Sequence, residues 1–182
     1  ASYAVGGPEN NTLHVDCDVL EAYVYQILRS LFRRGFTRNI CIVIMHQTEE
    51  FMPTALACMK AAKKLTMEWL EETQGHGWWG SDKMAGFYDN ISAEDNPWNW
   101  IRVFNGARYP EEYNYPADHA GKYECSYLEH LFPGSVKLER LDKNKDWFAQ
   151  TAVEMSAELG KQISDKIVSN MMQAIKEGKK VY

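Results

Sequence analysis

The segment from residue 40 to residue 50 constrains the fold of this chain more than any other. It opens with six apolar residues in succession, ICIVIM, a run typical of a strand buried on both faces of a parallel sheet. Residues 46–50 (HQTEE) are polar, and Pro53 suits the first turn of a following helix. Open α/β sheets place ligands just past the carboxyl ends of such strands. The segment therefore predicts either a ligand-binding strand end or a solvated loop that caps the next helix.

The remaining periodicity predicts the fold class. Apolar side chains recur at helical spacing over residues 18–34, 53–72, 120–132 and 152–177, and Asp18 and Glu21 form a D-x-x-E capping pattern. Strands are predicted over residues 40–45, 98–104 and 136–141. Because helices and strands alternate without hairpin signals, we predict an α/β fold with a mainly parallel sheet flanked by helices. The chain has 182 residues, and we expect a single domain over residues 1–182.

Composition excludes several classes of function. The net charge of −5 argues against a protein that neutralises nucleic-acid phosphates. No apolar run has the length of a membrane span, so no membrane partner is expected. The sequence contains no glycine-rich phosphate loop, serine elbow or CxxC motif. The cysteines lack metal-type spacing, which favours free thiols in a reducing compartment, and we expect a cytoplasmic protein. They are Cys17, Cys41, Cys58 and Cys125.

His46 is the strongest candidate metal ligand. It follows the apolar run and has carboxylates within a few residues, of which Glu49 is the nearest. An imidazole beside a carboxylate can hold a divalent ion that activates water. A catalytic site of this kind needs three or more protein ligands, so the others must come from elsewhere.

His119 is the strongest candidate for proton transfer. It is followed by Ala120 and Gly121, which leave room for a ligand, and Glu124 lies one turn into the predicted helix. An imidazole with a nearby carboxylate is the usual arrangement for proton transfer near neutral pH. The alternative is a capping segment, in which Asp118 caps the helix and His119 is only exposed.

With these residues in view, the sequence resembles the creatininase (creatinine amidohydrolase) family. Residues 118–126 (DHAGKYECS) are similar to the family's HAG-x-x-ETS segment, with Cys125 in place of threonine. Residues 30–46 are similar to a helix end and strand that lead into the family's N-G-H-x-x-N turn. With residues 157–160 and the helix after them, the resemblance covers most of the chain from about Leu13.

The resemblance implies a three-layer α/β domain and a hydrolase of amide-type C–N bonds in small, often cyclic substrates. It implies zinc or manganese as cofactor, with up to two ions. Residue by residue, His46 matches a metal ligand, and His119 and Glu124 match the proton-transfer histidine and carboxylate. Glu49 is a metal ligand only if the turn is rearranged, because Thr48 stands where creatininase has a metal-binding glutamate. The family is commonly hexameric, so a homo-oligomer is expected.

Two alternatives follow from departures in this sequence. Ile44 and Met45 replace the N-G that precedes the family histidine, and the family's first E-x-H motif has no counterpart here. We therefore expect the C-terminal portion of the domain, completed by a missing segment or a partner chain. The first alternative is a non-catalytic scaffold or interaction subunit that has lost the metals. A weaker one is a carbohydrate- or cofactor-binding module that uses the tryptophan-rich segment, although core and interface roles are expected for most of those rings.

Overall fold

A computed structural model describes residues 3–5, 13–35, 38–44, 53–105 and 118–176 of the chain. The chain forms two compact units, the first made of Ala1–Asn105 with Gly178–Tyr182 and the second of Gly106–Glu177. The prediction of a single domain over residues 1–182 stays a prediction.

The first unit contains a small parallel sheet and two long helices. Strands β3 (Ile40–Ile44) and β4 (Ile101–Asn105) pair in parallel, with Ile40 beside Ile101. The other elements are β1 (Tyr3–Val5) and β2 (Val15–Asp16), which pair antiparallel, helix α1 (Cys17–Arg33) and helix α2 (Pro53–Gln74). Short 3-10 turns occupy Trp78–Gly80, Asp82–Met84 and Pro97–Asn99. Helices flank a parallel strand pair, so the α/β class is confirmed among the described residues.

The core of the first unit forms where α2 covers the sheet and α1. Ala61 is fully buried on α2, and it packs in one cluster with Tyr25 and Leu28 of α1 and Ile101 of β4. A second cluster joins Ile44, Ala55, Cys58 and Val103. Small side chains on α2 allow its backbone to approach the strands closely, which is why a two-stranded sheet acquires a buried face.

The second unit is built from two packed helices. Helix α3 spans Lys122–Leu131 and helix α4 spans Ala157–Lys176, with 3-10 turns at Leu138–Lys143 and Trp147–Glu154 between them. Gly160 of α4 lies so close to α3 that a Cβ atom there would overlap the Ser126 carbonyl. Ser126 is fully buried, and its hydroxyl donates to the Lys122 carbonyl and accepts from the Ser156 amide. This contact requires a glycine on α4.

Several sequence predictions are wrong in detail. The predicted strand over 136–141 is absent, because Leu138 and Leu141 are three residues apart and lie in a 3-10 turn. The terminal helix begins at Ala157 instead of residue 152, since extended backbone at Met155 (ψ 150°) separates it from the preceding turn.

The ends and burial of the other elements also differ from expectation. The 3-10 turn Pro97–Asn99 delays β4, and α1 begins before Asp18, so the predicted D-x-x-E cap does not form. The prediction that β3 is buried on both faces is wrong as well, because Val43 is 36% exposed. Among the described residues, α2 packs on the opposite face of β3, the face that carries Ile42 and Ile44.

Tyr25 links α1 to α2 through a partly buried hydrogen bond. Its ring is 7% exposed, and its hydroxyl donates to the Glu68 carboxylate. Lys64 Nζ lies 4.5 Å from the ring centroid. The hydrogen bond to Glu68 is the largest cause that raises the pKa of Tyr25 above its usual value, followed by burial. The folded state therefore holds the phenol proton more tightly than the unfolded chain does.

We predict that Tyr25→Phe lowers the free energy of unfolding by about 1 kcal/mol at pH 7, because a hydrogen bond to a carboxylate is lost while the ring stays packed. The stabilisation is complete below the unfolded tyrosine pKa of about 10 and is lost as pH rises through the raised folded pKa. The difference between wild type and variant should therefore shrink in alkaline urea titrations. Tyr23→Phe on the same helix, where the ring is 66% exposed, is the control and should be neutral. Equal effects of the two substitutions would contradict the assignment.

Candidate functional site

The two predicted metal ligands, His46 and Glu49, lie outside the described residues. The strand before them is confirmed, since β3 ends at Ile44, two positions ahead of His46 in the sequence. The other two predicted site residues, His119 and Glu124, belong to the second unit and flank the start of α3. The roles predicted for all four residues stay predictions.

The amino terminus of α3 is capped by side chains from two places in the chain. Asp118 accepts hydrogen bonds from the Tyr123 amide (2.7 Å) and the Glu124 amide (2.9 Å), one on each carboxylate oxygen. Thr151 Oγ1 accepts from the Lys122 amide at 3.2 Å. The first three amides of α3, which have no partner within the helix, are therefore satisfied. The capping role considered for Asp118 is confirmed.

Glu124 closes the cap in the opposite direction. Its Oε2 accepts from the Ala120 amide at 2.7 Å, one residue before the N-cap amide that a capping-box glutamate binds. Ala120 has a left-handed backbone (φ 52°), a conformation that is uncommon for a residue with a Cβ atom. The Cys125 thiol donates to the Ala120 carbonyl at 3.3 Å. Glu124 and Cys125 thus hold the backbone of the residue that follows His119.

Gly121 completes this turn because no larger residue fits. A Cβ atom at Gly121 would lie 2.6 Å from Asp118 Oδ2 and 2.6 Å from Thr151 Oγ1. Real Cβ atoms do not approach polar atoms so closely, so both capping bonds depend on the glycine. The small residues after His119 were expected to admit a ligand, and at Gly121 the structure gives them a packing reason.

His119 itself is exposed beside an aromatic ring. Its imidazole stands edge-to-face on Phe148, with centroids 4.8 Å apart and planes at 70°. No hydrogen bond to the imidazole occurs within residues 118–176. Phe148 therefore supports the ring on one side while its nitrogens are left for solvent or a ligand. Such an imidazole can give or take a proton in a hydrolytic reaction.

Cys125 is not suited to act as a nucleophile beside His119. Burial is the largest cause that raises the pKa of its thiol, and the carboxylates of Asp118 and Glu124 raise it further. A thiol held in its protonated form is a poor nucleophile and a poor metal ligand at neutral pH. Its hydrogen bond to the Ala120 carbonyl indicates a packing role instead.

The described residues do not by themselves fit a divalent metal. Across the described ranges, no group of three or more histidine, cysteine, aspartate or glutamate side chains is arranged so that it could hold a metal ion. Both carboxylate oxygens of Asp118 accept hydrogen bonds from backbone amides. Any metal site must therefore draw on residues outside these ranges, as the sequence predicts for His46 and Glu49.

Sequence reasoning missed Thr151. It caps α3 from 29 residues away along the chain, and such a distant partner leaves no local pattern in the sequence.

In the described ranges, no helix combines the length and apolarity that crossing a bilayer requires.

The family model described as Creatininase: Creatinine amidohydrolase matches residues 6–175. The chain belongs to the creatininase family. The match begins ahead of Leu13, so it covers nearly the whole chain and is not confined to a C-terminal portion of it. Searches among curated proteins and among solved structures gave no significant match. The creatininase family is one of amidohydrolase-type hydrolases that generally bind divalent metals.

We predict that Asp118→Ala lowers the free energy of unfolding by about 1 kcal/mol, the usual effect of losing a helix cap. Asp118→Asn should be less harmful, because the amide oxygen can still accept one of the two bonds. Urea titration followed by far-ultraviolet circular dichroism measures the change. Asp142→Ala serves as the control, since Asp142 is exposed in a 3-10 turn. A stability for Asp118→Ala equal to that of the control would show that the cap contributes nothing.

Proposed function

We propose that the protein is a metal-dependent hydrolase of the creatininase family that cleaves an amide-type C–N bond in a small, often cyclic substrate. The observation that carries the proposal is the family match over residues 6–175. The exposed imidazole of His119, on a backbone fixed by the α3 cap, supports it. The three-layer arrangement typical of the family is part of the same proposal.

In this proposal His119 transfers the proton. Hydrolysis of an amide removes a proton from water and delivers one to the departing nitrogen, and an exposed imidazole can do both. Glu124 acts with it: Oε2 holds the Ala120 amide, and Oε1 has no hydrogen-bond partner within residues 118–176. Glu124 can therefore fix the backbone beside His119 and still present one oxygen to a ligand.

The metal is proposed as zinc or manganese, with one or two ions. His46 and Glu49 are the ligands that we propose from this chain. A bound divalent ion would supply an activated water to the reaction. Because three protein ligands are normally required, the remaining groups would come from a further segment or a partner chain.

We predict that the isolated chain binds zinc or manganese weakly or not at all, and that binding becomes tight in the complete assembly. There, His46→Ala should reduce metal content measured by elemental analysis, because a ligand is removed. His119→Ala should spare the metal but lower turnover of creatinine or another small cyclic amide by about 100-fold, the usual contribution of a general acid or base. Glu124→Gln, which can still accept from the Ala120 amide, separates catalysis from capping.

Full metal retention by the isolated chain after dialysis against chelator would show that the ligands are misassigned. If Glu124→Gln leaves both stability and turnover unchanged, the carboxylate only caps the helix. If it lowers turnover at unchanged stability, the carboxylate serves in proton transfer.

A homo-oligomer, or a complex with a chain that supplies the N-terminal portion, is also proposed. Among the described residues the parallel sheet has only the strands β3 and β4, so both of its edges carry backbone groups outside the pair. We predict that the protein elutes as an oligomer in light scattering coupled to size exclusion. A monodisperse monomer with a cooperative unfolding transition would contradict this prediction.

A cytoplasmic location is also proposed. It is supported by the four free cysteines Cys17, Cys41, Cys58 and Cys125.

The second candidate function is a non-catalytic scaffold subunit. Ile44, which replaces the first residue of the family's N-G turn, is 6% exposed and pairs with Asn105 in the sheet. The strand therefore continues where the family sequence turns toward its metal-binding histidine. A complete assembly that holds no metal and shows no amide hydrolysis would favour this candidate.

A further inference from the structure

The first unit contains an aromatic cavity that neither the family nor the proposed reaction explains. It has a volume of about 700 Å³ and lies at the carboxyl end of α2. Its walls include Trp78, Trp79, Tyr88 and Trp98, together with Glu71 of α2. A volume of this size is ordinary for a pocket that holds a small molecule.

The cavity lies at the opposite edge of the parallel sheet from the end of β3. Trp98 precedes β4 and therefore lies by its amino end, whereas His46 follows the carboxyl end of β3 in sequence. Because β3 and β4 run parallel, the amino end of β4 and the carboxyl end of β3 lie at opposite ends of the strand pair. The cavity therefore lies toward the amino ends of the two parallel strands, away from the carboxyl end of β3.

Three rings line the cavity at steep angles to one another. The centroids of Trp78 and Trp79 are 5.4 Å apart with planes at 78°, and those of Trp79 and Tyr88 are 5.5 Å apart with planes at 47°. The indole of Trp98 donates a hydrogen bond to the Tyr88 hydroxyl, which fixes that ring. Rings with different orientations can offer their π faces to one ligand from more than one side.

The local fold makes one tryptophan rigid and leaves the next one open. Gly75 (φ 90°) and Gly77 (φ 70°) reverse the chain after α2 with backbone conformations that favour glycine. Trp78 then packs with Leu70 and Met84 and is 7% exposed. Trp79, its neighbour in sequence, is 61% exposed at the cavity. The Trp79 indole is therefore accessible to a ligand that enters the cavity.

The charge of the cavity favours a cation. Glu71 contributes a carboxylate that is half exposed, and the lining residues include no lysine or arginine. His76 Nδ1 lies 3.9 Å from Glu71 Oε1, but the imidazole is almost fully exposed. Aromatic faces carry a negative quadrupole, and together with a carboxylate they attract organic cations and disfavour anions.

We propose that this cavity binds a free small organic cation that carries a methylated quaternary ammonium group. Such a group has no N–H donors, so it is hydrated more weakly than a primary ammonium and loses less when it leaves water for aromatic walls. A sugar also stacks on tryptophan, but its hydroxyls need many polar partners. Few polar side chains line this cavity, and the Tyr88 hydroxyl already accepts from Trp98.

The test compares choline with 3,3-dimethyl-1-butanol, a neutral molecule of the same shape, by isothermal titration calorimetry on the full chain. Choline should bind at least about tenfold more tightly than the neutral molecule, because only the cation gains from the quadrupoles and the carboxylate. Trp79→Ala should weaken choline binding by at least about tenfold, and Glu71→Gln by several-fold. Trp147→Ala is the matched control: Trp147 is 85% exposed and lies in the second unit, outside the lining, so affinity should not change.

Circular dichroism of each variant checks that the fold is kept. We expect both variants to fold, because the side chains of Trp79 and Glu71 are at least half exposed. The proposal is overturned if choline does not bind, if the neutral molecule binds as tightly, or if Trp79→Ala keeps the affinity of the wild type. Tighter binding of methyl β-glucoside than of choline would overturn it in favour of a sugar site. None of these measurements depends on the proposed hydrolysis.

Discussion

The close contact between α2 and the β3–β4 pair is the constraint on which the first unit depends. Ala61 is fully buried on α2 and Ala55 and Ala62 are nearly so, and all three pack in the clusters that contain Ile101 or Val103 of β4. Larger side chains at these positions would push the helix away and leave the two strands without cover. The two ends of α2 also adjoin the two segments discussed above. Its amino end follows the segment that contains His46, and its carboxyl end forms one wall of the aromatic cavity.

In the second unit the limiting requirement is the supply of partners for the first amides of α3. Asp118 gives both oxygens and Thr151 its hydroxyl, and Gly121 is needed for both to approach. A carboxylate and a hydroxyl could also bind a ligand, but here their oxygens accept hydrogen bonds from the α3 amides. What the cap leaves exposed is His119, which rests on Phe148. A rigid cap beside an open imidazole is a sound arrangement for a group that must meet a substrate in a fixed position.

The parts of the fold that depend on local pattern could be predicted from the sequence. The apolar run gave β3, and the stripes of α1, α2 and α3 gave helices whose ends agree with the structure within a few residues. The strand predicted over residues 136–141 was wrong, because Val136 and Leu138 alternate as in a strand but Leu138 and Leu141 are three residues apart, which is the period of the 3-10 turn that forms. Partners distant in sequence, such as Tyr25 with Glu68 or Lys122 with Thr151, leave no local signal.

For the candidate site, the sequence singled out residues 118–126 but did not show which groups each carboxylate binds. Sequence reasoning assigns the chemical role to Glu124 and considers Asp118 only as a cap, whereas in the structure both carboxylates accept backbone amides. They differ in how many oxygens bind amides: both oxygens of Asp118 accept a backbone amide, whereas only Oε2 of Glu124 does. Glu124 is also in the first turn of α3, where the helix dipole stabilises a negative charge. Of these two carboxylates, Glu124 therefore agrees better with the proton-transfer role proposed for it, because the helix cap uses only one of its oxygens.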